Sequence, residues 1–336
     1  MSSCPLVAVT DYLTESSVEA PLLEGLADFR LLLAEDEMEV VQKAGQASAL
    51  VVYHVMKMTE RSLGALPECR VIVRGGVGVD NIDLEAAGRL GIVVCNVPDY
   101  GSEEVADHAL MLLLATSRRL VTLHDAIRQR VWDASLIFGA PRLRGCTVGI
   151  IGCGRIGSAF ALRAKALGMR VVIYDPYQPA GLDKALGVER VFRLEELLPQ
   201  AQFLSVHCPL THETHHIVND QTIGLLPQGA YLVNTARGGC VDLDAVVRGL
   251  DSGCLTAAGL DVIEREPLDN ERARKHPRII FTPHAAYYSV EGYREMRRKG
   301  IEEVIRVLRG EAVRNPVNLH FLRNARCKVP AVSLPR

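Results

Sequence analysis

Short apolar, β-branched runs recur along the chain, each followed by a longer stretch whose apolar positions repeat at helical spacing. The first series falls at residues 6–10, 29–34, 49–53, 70–73 and 92–95, and a second at 147–151, 171–174, 203–207, 231–234, 257–260 and 279–281. Strands that alternate with helices predict parallel sheets covered on both faces. The chain therefore reads as α/β, with two open parallel-sheet domains. Between the series, residues 102–120 carry Glu103 and Glu104 at the start and Arg118 and Arg119 at the end, complementing a helix macrodipole. One long helix is expected there. A stripe of Ile301, Val304, Ile305 and Leu308, ended by Gly310, predicts another helix that returns the chain to the first domain. That domain is then discontinuous, residues 1–101 plus 292–336, around a second domain of 102–291. The tail from Leu322, with Pro330 and Pro335, reads as loosely held.

Composition narrows the function classes. A chain of 336 residues suits two domains, and 48% hydrophobic with 23% charged residues supplies a large core and excludes wholesale disorder. With 38 Lys and Arg against 40 Asp and Glu, a net charge of −2 offers no bulk attraction to nucleic acid or an anionic membrane. No apolar stretch approaches the roughly 18 residues of a membrane span, and Met1-Ser2-Ser3-Cys4-Pro5 lacks the features of an export signal. Nine scattered cysteines without a C-x-x-C pair suit a reducing compartment. The expectation is a soluble cytoplasmic protein with neither nucleic-acid nor membrane partners.

Gly152-Cys153-Gly154-Arg155-Ile156-Gly157 directly follows one predicted strand and opens a helix. The first glycine permits a tight turn, the second admits a pyrophosphate to the backbone, and the third lets helix and strand pack closely. Phosphates would meet free helix N–H groups. The next strand ends in Asp175, whose carboxylate suits a ribose diol and repels a 2′-phosphate, so NAD is favoured over NADP. Arg155 reaches either the pyrophosphate or solvent, and Cys153 reads as a small filler.

Three later strand ends carry complementary chemistry. Asn234-Thr235-Ala236-Arg237-Gly238-Gly239 supplies a guanidinium for a carboxylate or keto oxygen, Asp261 to Pro267 supplies Glu266, and Thr282-Pro283-His284-Ala285-Ala286 supplies an imidazole. Ligands bind at the carboxyl ends of strands in open α/β sheets. His284 is then a general acid and base oriented by Glu266, with Arg237 as anion anchor. Singly, each also fits a structural role; jointly they point to hydride chemistry. In the first domain, Arg74-Gly75-Gly76-Val77-Gly78-Val79-Asp80-Asn81 is a glycine-rich strand exit whose Val77 and Gly78 amides can face a substrate carboxylate, or a turn needing glycine for geometry alone.

These segments resemble the D-isomer-specific 2-hydroxyacid dehydrogenase family from about residue 6 to residue 320, on the segment Gly76 to Asp83, Gly152 to Gly157, His207-Cys208-Pro209-Leu210-Thr211, Asn234 to Gly238, Glu266-Pro267 and Thr282-Pro283-His284. The resemblance implies a flavodoxin-like split substrate domain, a Rossmann NAD domain and a catalytic Arg237, Glu266 and His284. It implies substrate contacts at Val77, Gly78, Arg237 and Tyr287. Cofactor contacts are implied at Gly101, Gly152, Gly154, Arg155, Ile156, Gly157, Asp175, His207, Cys208, Pro209, Thr235, Ala236, Asp261, His284 and Ala286, with Asp261 at the nicotinamide amide. A homodimer through the 102–120 helix and the arm past Trp132 is also implied. Tyr174-Asp175-Pro176-Tyr177, the segment His215 to Asp220 and the segment Pro283 to Ser289 are similar to the C-terminal binding protein branch, which usually has Trp where this chain has Tyr287. Asp107 stands where many members carry Glu.

His207, His212, His215 and His216 crowd one segment but lack a carboxylate or cysteine at usual zinc spacing, so no metal is expected. His54, His108 and His124 read as structural. Arg294, Arg297, Arg298 and Lys299 read as a solvated helix face. Two functions follow: an NAD-dependent oxidoreductase interconverting a small 2-oxo acid and its D-2-hydroxy acid, or an NADH-responsive dimeric interaction protein, corepressor-like, with vestigial activity. The short segment beyond the last helix favours the first.

Overall fold

A computed structural model describes residues 4–330; residues 1–3 and 331–336 lie outside the described residues, and with them the readings made for Met1-Ser2-Ser3 and Pro335. The chain forms two compact units, Met1–Gly101 with Ser289–Arg336, and Ser102–Tyr288.

In the first unit, β1 (Leu6–Val9), β2 (Asp28–Leu31), β3 (Ala49–Val52), β4 (Val71–Arg74) and β5 (Val93–Asn96) form a sheet in the order β2-β1-β3-β4-β5. Every pairing is parallel. The four residues of β3 and of β4 are all buried, so their continuous apolar runs reflect helices on both faces rather than alternation. The chain re-enters this unit at Ser289, slightly ahead of the boundary expected at 292. Its hydroxyl accepts from the Gly292 amide at 2.8 Å and caps the helix Val290–Leu308.

That helix corrects one expectation. Arg294 and Arg298 are exposed, but Arg297 is only 5% exposed, because with Ile301 and Val304 it lies on the packed face at helical spacing. Its guanidinium donates to both oxygens of buried Glu19, at 2.7 and 2.6 Å, and to the Glu15 carboxylate. The hydrogen bond from Arg297 holds the Glu15 carboxyl down to about 2. The described part of the tail, residues 322–330, is likewise anchored at Arg326 rather than loose. Arg326 donates to the carbonyls of Leu66, Pro67 and Cys69 at 2.9 to 3.0 Å, and its amide donates to the Gly91 carbonyl at 2.8 Å.

In the second unit, β6 (Thr147–Ile151), β7 (Arg170–Tyr174), β8 (Glu189–Val191), β9 (Phe203–Val206), β10 (Ala230–Asn234), β11 (Leu255–Leu260) and β12 (Ile279–Phe281) form a parallel sheet in the order β12-β11-β10-β9-β6-β7-β8. The order reverses between β6 and β9, the switch point where such sheets bind ligands. β8 escapes sequence reading because Glu-Arg-Val, at the sheet edge and nowhere fully buried, carries no apolar run. The helix expected over 102–120 is two: Ser102–Ser117, then Leu120–Arg128 after Arg119 takes a left-handed φ of 51°. The first lies flush on the sheet at Gly259, where a Cβ would stand 2.8 Å from the Leu112 Cβ. The second buries none of its residues within the chain.

Candidate active site

The Gly152 to Gly157 turn is dictated by close approaches. Gly152 has φ 88°, and a Cβ there would sit 2.5 Å from the Cys208 amide nitrogen; one on Gly157 would sit 2.1 Å from the Gly152 carbonyl oxygen. Gly154, by contrast, faces open space, with nothing within 4 Å of a Cβ position. It is also the N-cap of the helix Arg155–Ala166 and provides no side-chain cap, leaving first-turn N–H groups without the usual intrachain acceptor. A diphosphate fits this combination of open space and helix N–H groups.

Asp175, at the end of β7, accepts from the Cys153 amide at 2.8 Å and from the Tyr177 amide at 3.0 Å. It thus ties the turn to the neighbouring strand as well as presenting a carboxylate beside it. Arg190 on β8 fixes the loop below it, donating to the carbonyls of Asp175, Gln178 and Pro179 at 2.6, 2.9 and 3.1 Å.

Across the switch point, β9 leads into His207, Cys208 and Pro209. His207 pairs through Nε2 with the Ser205 hydroxyl at 2.8 Å, and burial pushes its imidazole down to about 3, so it is neutral. Its Nδ1 is buried without a hydrogen-bond partner, as is the Thr235 hydroxyl at the end of β10. Two orphaned polar atoms beside the switch point are what a polar ligand would satisfy. Cys208 is buried with its thiol 4.0 Å from that of Cys240; this contact and burial push it far above the usual thiol range, so it is not a nucleophile.

The Arg237 turn is assembled by its neighbours. Buried Asn234 accepts from the Ala236 amide at 3.0 Å and donates to the Arg237 carbonyl at 2.9 Å. A Cβ on Gly238 would fall 1.9 Å from the Ile263 carbonyl carbon, so only glycine lets this turn lie on the loop that leads to Glu266. The sheet thereby sets Arg237 beside the Glu266 segment.

Glu266 and His284 meet, with Oε2 2.9 Å from Nδ1. The Glu266-Pro267 bond is cis, and His284 has a left-handed φ of 54° that its surroundings over-determine. Asp261, 2% exposed, accepts from the Thr282 hydroxyl at 2.6 Å and from the Ala285 and Ala286 amides at 2.9 and 3.0 Å, while its carbonyl accepts from the His284 amide at 2.8 Å. His108, on the helix Ser102–Ser117, meets the same Thr282 hydroxyl at 2.9 Å. The resemblance implies Asp261 at a nicotinamide amide and His108 reads as structural; in the fold both support the His284 loop, Asp261 directly and His108 through Thr282. Thr282 is read in sequence only as part of the His284 motif, with no role of its own, because its partners are 21 and 174 positions away. Asp261, Ile263, Glu266, Pro267, Leu268, Phe281, Thr282, Pro283 and His284 line a cavity of about 440 Å³, so the acid–imidazole pair borders it together with mainly apolar side chains.

In the first unit, Val77 is exposed and its carbonyl accepts from Asn96 at 2.6 Å, with Gly76 at φ 145° beneath the Arg74 guanidinium. Tyr287 is half-buried, its ring edge-on to that of exposed Tyr288 at 6.4 Å. Gly101 closes the first unit.

Residues 110–286 match the family described as D-isomer specific 2-hydroxyacid dehydrogenase, NAD binding domain. The chain is 37% identical over 313 residues to D-3-phosphoglycerate dehydrogenase of Methanocaldococcus jannaschii, covering 93% of this chain and 59% of that protein. It is 34% identical over 319 residues to C-terminal-binding protein 1 of Caenorhabditis elegans, covering 92% of this chain and 44% of that protein. The chain thus spans about half the length of these two relatives. The structure of a D-lactate dehydrogenase from Aquifex aeolicus complexed with NAD and lactic acid superposes with a TM-score of 0.83 at 31% identity, covering 91% of this chain and 96% of that one. The chain belongs to the D-isomer-specific 2-hydroxyacid dehydrogenase family, and its Ser102–Tyr288 unit holds that family's NAD-binding domain.

Proposed function

We propose that this protein is an NAD-dependent oxidoreductase that interconverts a small 2-oxo acid and its D-2-hydroxy acid. The observation that carries the reading is the Glu266–His284 pair, 2.9 Å apart, on a loop fastened by Asp261. A carboxylate on Nδ1 fixes the imidazole tautomer, so that Nε2 can deliver a proton to a carbonyl oxygen and take it back in the reverse direction. NADH, when bound, supplies the hydride. Arg237 offers its planar fork to the substrate carboxylate. The Val77 and Gly78 amides, on a strand exit of the first unit, are the second anion-holding element in this reading, and Tyr287 is the aromatic neighbour of the substrate. The dinucleotide would run along Gly152, Gly154, Arg155, Ile156 and Gly157, with Asp175 at the ribose and with Gly101, His207, Cys208, Pro209, Thr235, Ala236, Asp261 and Ala286 completing its surroundings. Nine cysteines scattered without a C-x-x-C pair suit a cytoplasmic setting. Among the described residues no helix is long and apolar enough to cross a membrane.

A homodimer is part of the same reading. Leu120, Val121, Ile127, Val131, Trp132 and Phe138 are 44 to 90% exposed along one helix and the arm that follows it, an apolar surface that a second copy would cover. This surface also supports a second reading, in which NADH-dependent assembly rather than turnover is the main role.

Purified protein assayed with NADH and a panel of 2-oxo acids tests both. Oxidation of NADH by at least one acid is expected, and His284→Ala should lower kcat by about 10²- to 10⁴-fold while NADH still binds. Unchanged turnover in that variant overturns the acid–base assignment. Silence across the panel, with dimerisation that follows NADH, replaces the first reading with the second.

A further inference from the structure

The histidines of the loop after β9 have no carboxylate or cysteine at usual zinc spacing along the chain. The fold supplies one from another strand exit. His216 Nε2 lies 2.5 Å from Glu264 Oε1, on the loop after β11, and the His215 ring stacks on that of His216 with centroids 4.1 Å apart. One ligand atom from each of His215, His216 and Glu264 falls within a 4.8 Å span.

The backbone is built to hold the two imidazoles together. His216 has a left-handed φ of 50°, uncommon for a residue with a Cβ. It is pinned from both sides: its amide donates to the Gly239 carbonyl at 2.8 Å and its carbonyl accepts from Asn219 at 2.8 Å, while the His215 amide donates to the Thr211 carbonyl at 2.9 Å. Glu264 turns its other oxygen toward the Leu243 amide at 3.5 Å. Three strand exits, after β9, β10 and β11, therefore converge on this cluster.

We propose that His215, His216 and Glu264 bind a divalent first-row transition cation such as Zn²⁺. Two imidazoles and one carboxylate are the donor set such ions accept, and around a tetrahedral ion neighbouring ligand atoms stand roughly 3.3 Å apart. The ion would replace the His216–Glu264 hydrogen bond and draw the three donors, now within 4.8 Å of one another, to that spacing. All three side chains are partly or fully exposed, so the ion has an entry path and keeps an open position for water. Because Glu264 precedes Glu266 by two residues, an ion here would fasten the segment that carries the general-base partner to the loop beside the dinucleotide turn.

The test uses the full chain, stripped of metal with a chelator and titrated with Zn²⁺ by calorimetry, with thermal unfolding in parallel. One equivalent is expected to bind at micromolar concentration and to raise Tm, as for any ligand that prefers the native state. His215→Ala and Glu264→Gln, two changes at exposed positions, should each weaken that binding by about tenfold or more and abolish the rise in Tm. NADH titration of each variant reports that the unit is folded. Retention of stoichiometric binding in both folded variants places the metal elsewhere, on thiols for instance, and overturns the proposal. Absence of stoichiometric binding to the wild-type chain also overturns it.

Discussion

The dinucleotide turn and the His284 loop sit on the same sheet but are specified in different ways. The turn is contiguous: Gly152 and Gly157 set its shape by what their missing Cβ atoms avoid, the Cys208 amide and the Gly152 carbonyl, and Asp175 ties it to the adjoining strand. The His284 loop takes its conformation from Asp261, Thr282 and His108, which reach it from two other elements. A site fixed by steric close approaches of the backbone should fail abruptly when one atom is added. A site fixed by a hydrogen-bond network should fail by degrees as members are removed.

The sharpest break is expected at Gly157. Gly157→Ala places a methyl where only 2.1 Å separates it from a backbone carbonyl, and NADH affinity should fall by about 100-fold or more, read by quenching of protein fluorescence. Near wild-type affinity would mean that the turn relaxes easily and the contrast is false. Next comes Asp261→Ala, which strips acceptors from one hydroxyl and two amides. At about 1–3 kcal/mol for a buried donor left unsatisfied, kcat should fall by about 10- to 100-fold, with a lowered Tm. His108→Ala removes one hydrogen bond, to Thr282, worth about 1 kcal/mol, and a longer 3.5 Å approach to Asp261, and should cost roughly fivefold in kcat, with NADH affinity unchanged. A loss as large as that of Asp261→Ala would make His108 an equal partner in the network.

Acid sharpens the comparison from the turn's side. His207 is held neutral by burial, its imidazole lowered from 6.5 to about 3, so between those values the unfolded chain binds a proton that the folded chain refuses. Stability should therefore fall as pH drops from 6.5 toward 3, with at most about 1.4 kcal/mol per pH unit from this residue. His207→Gln should flatten that part of a pH series of urea midpoints. An unaltered slope would assign the acid sensitivity to other groups.

What the sequence disclosed follows the same division. Strands with continuous apolar runs, such as Ala49–Val52 and Phe203–Val206, and the glycine turn were legible because their signals are local. Glu266 and His284 were legible as chemical types at strand ends, though only the fold brings them within 2.9 Å. Arg297 was misread because charge alone suggested solvent, when the buried Glu19 that receives it lies 278 positions away. The break at Arg119, the edge strand Glu189–Val191 and the Arg326 anchorage of the tail depend on backbone conformation and on tertiary contacts that carry no periodic pattern.

Asp175 holds two offices, and that limits what substitution can do. Any redesign that removes this carboxylate to make room for a bulkier, more anionic nucleotide also unfastens the Cys153 and Tyr177 amides it now secures. On the proposed reading, preference for one coenzyme is thus welded to the integrity of the bend beside it, and a successful exchange has to install a replacement fastener for those two amides.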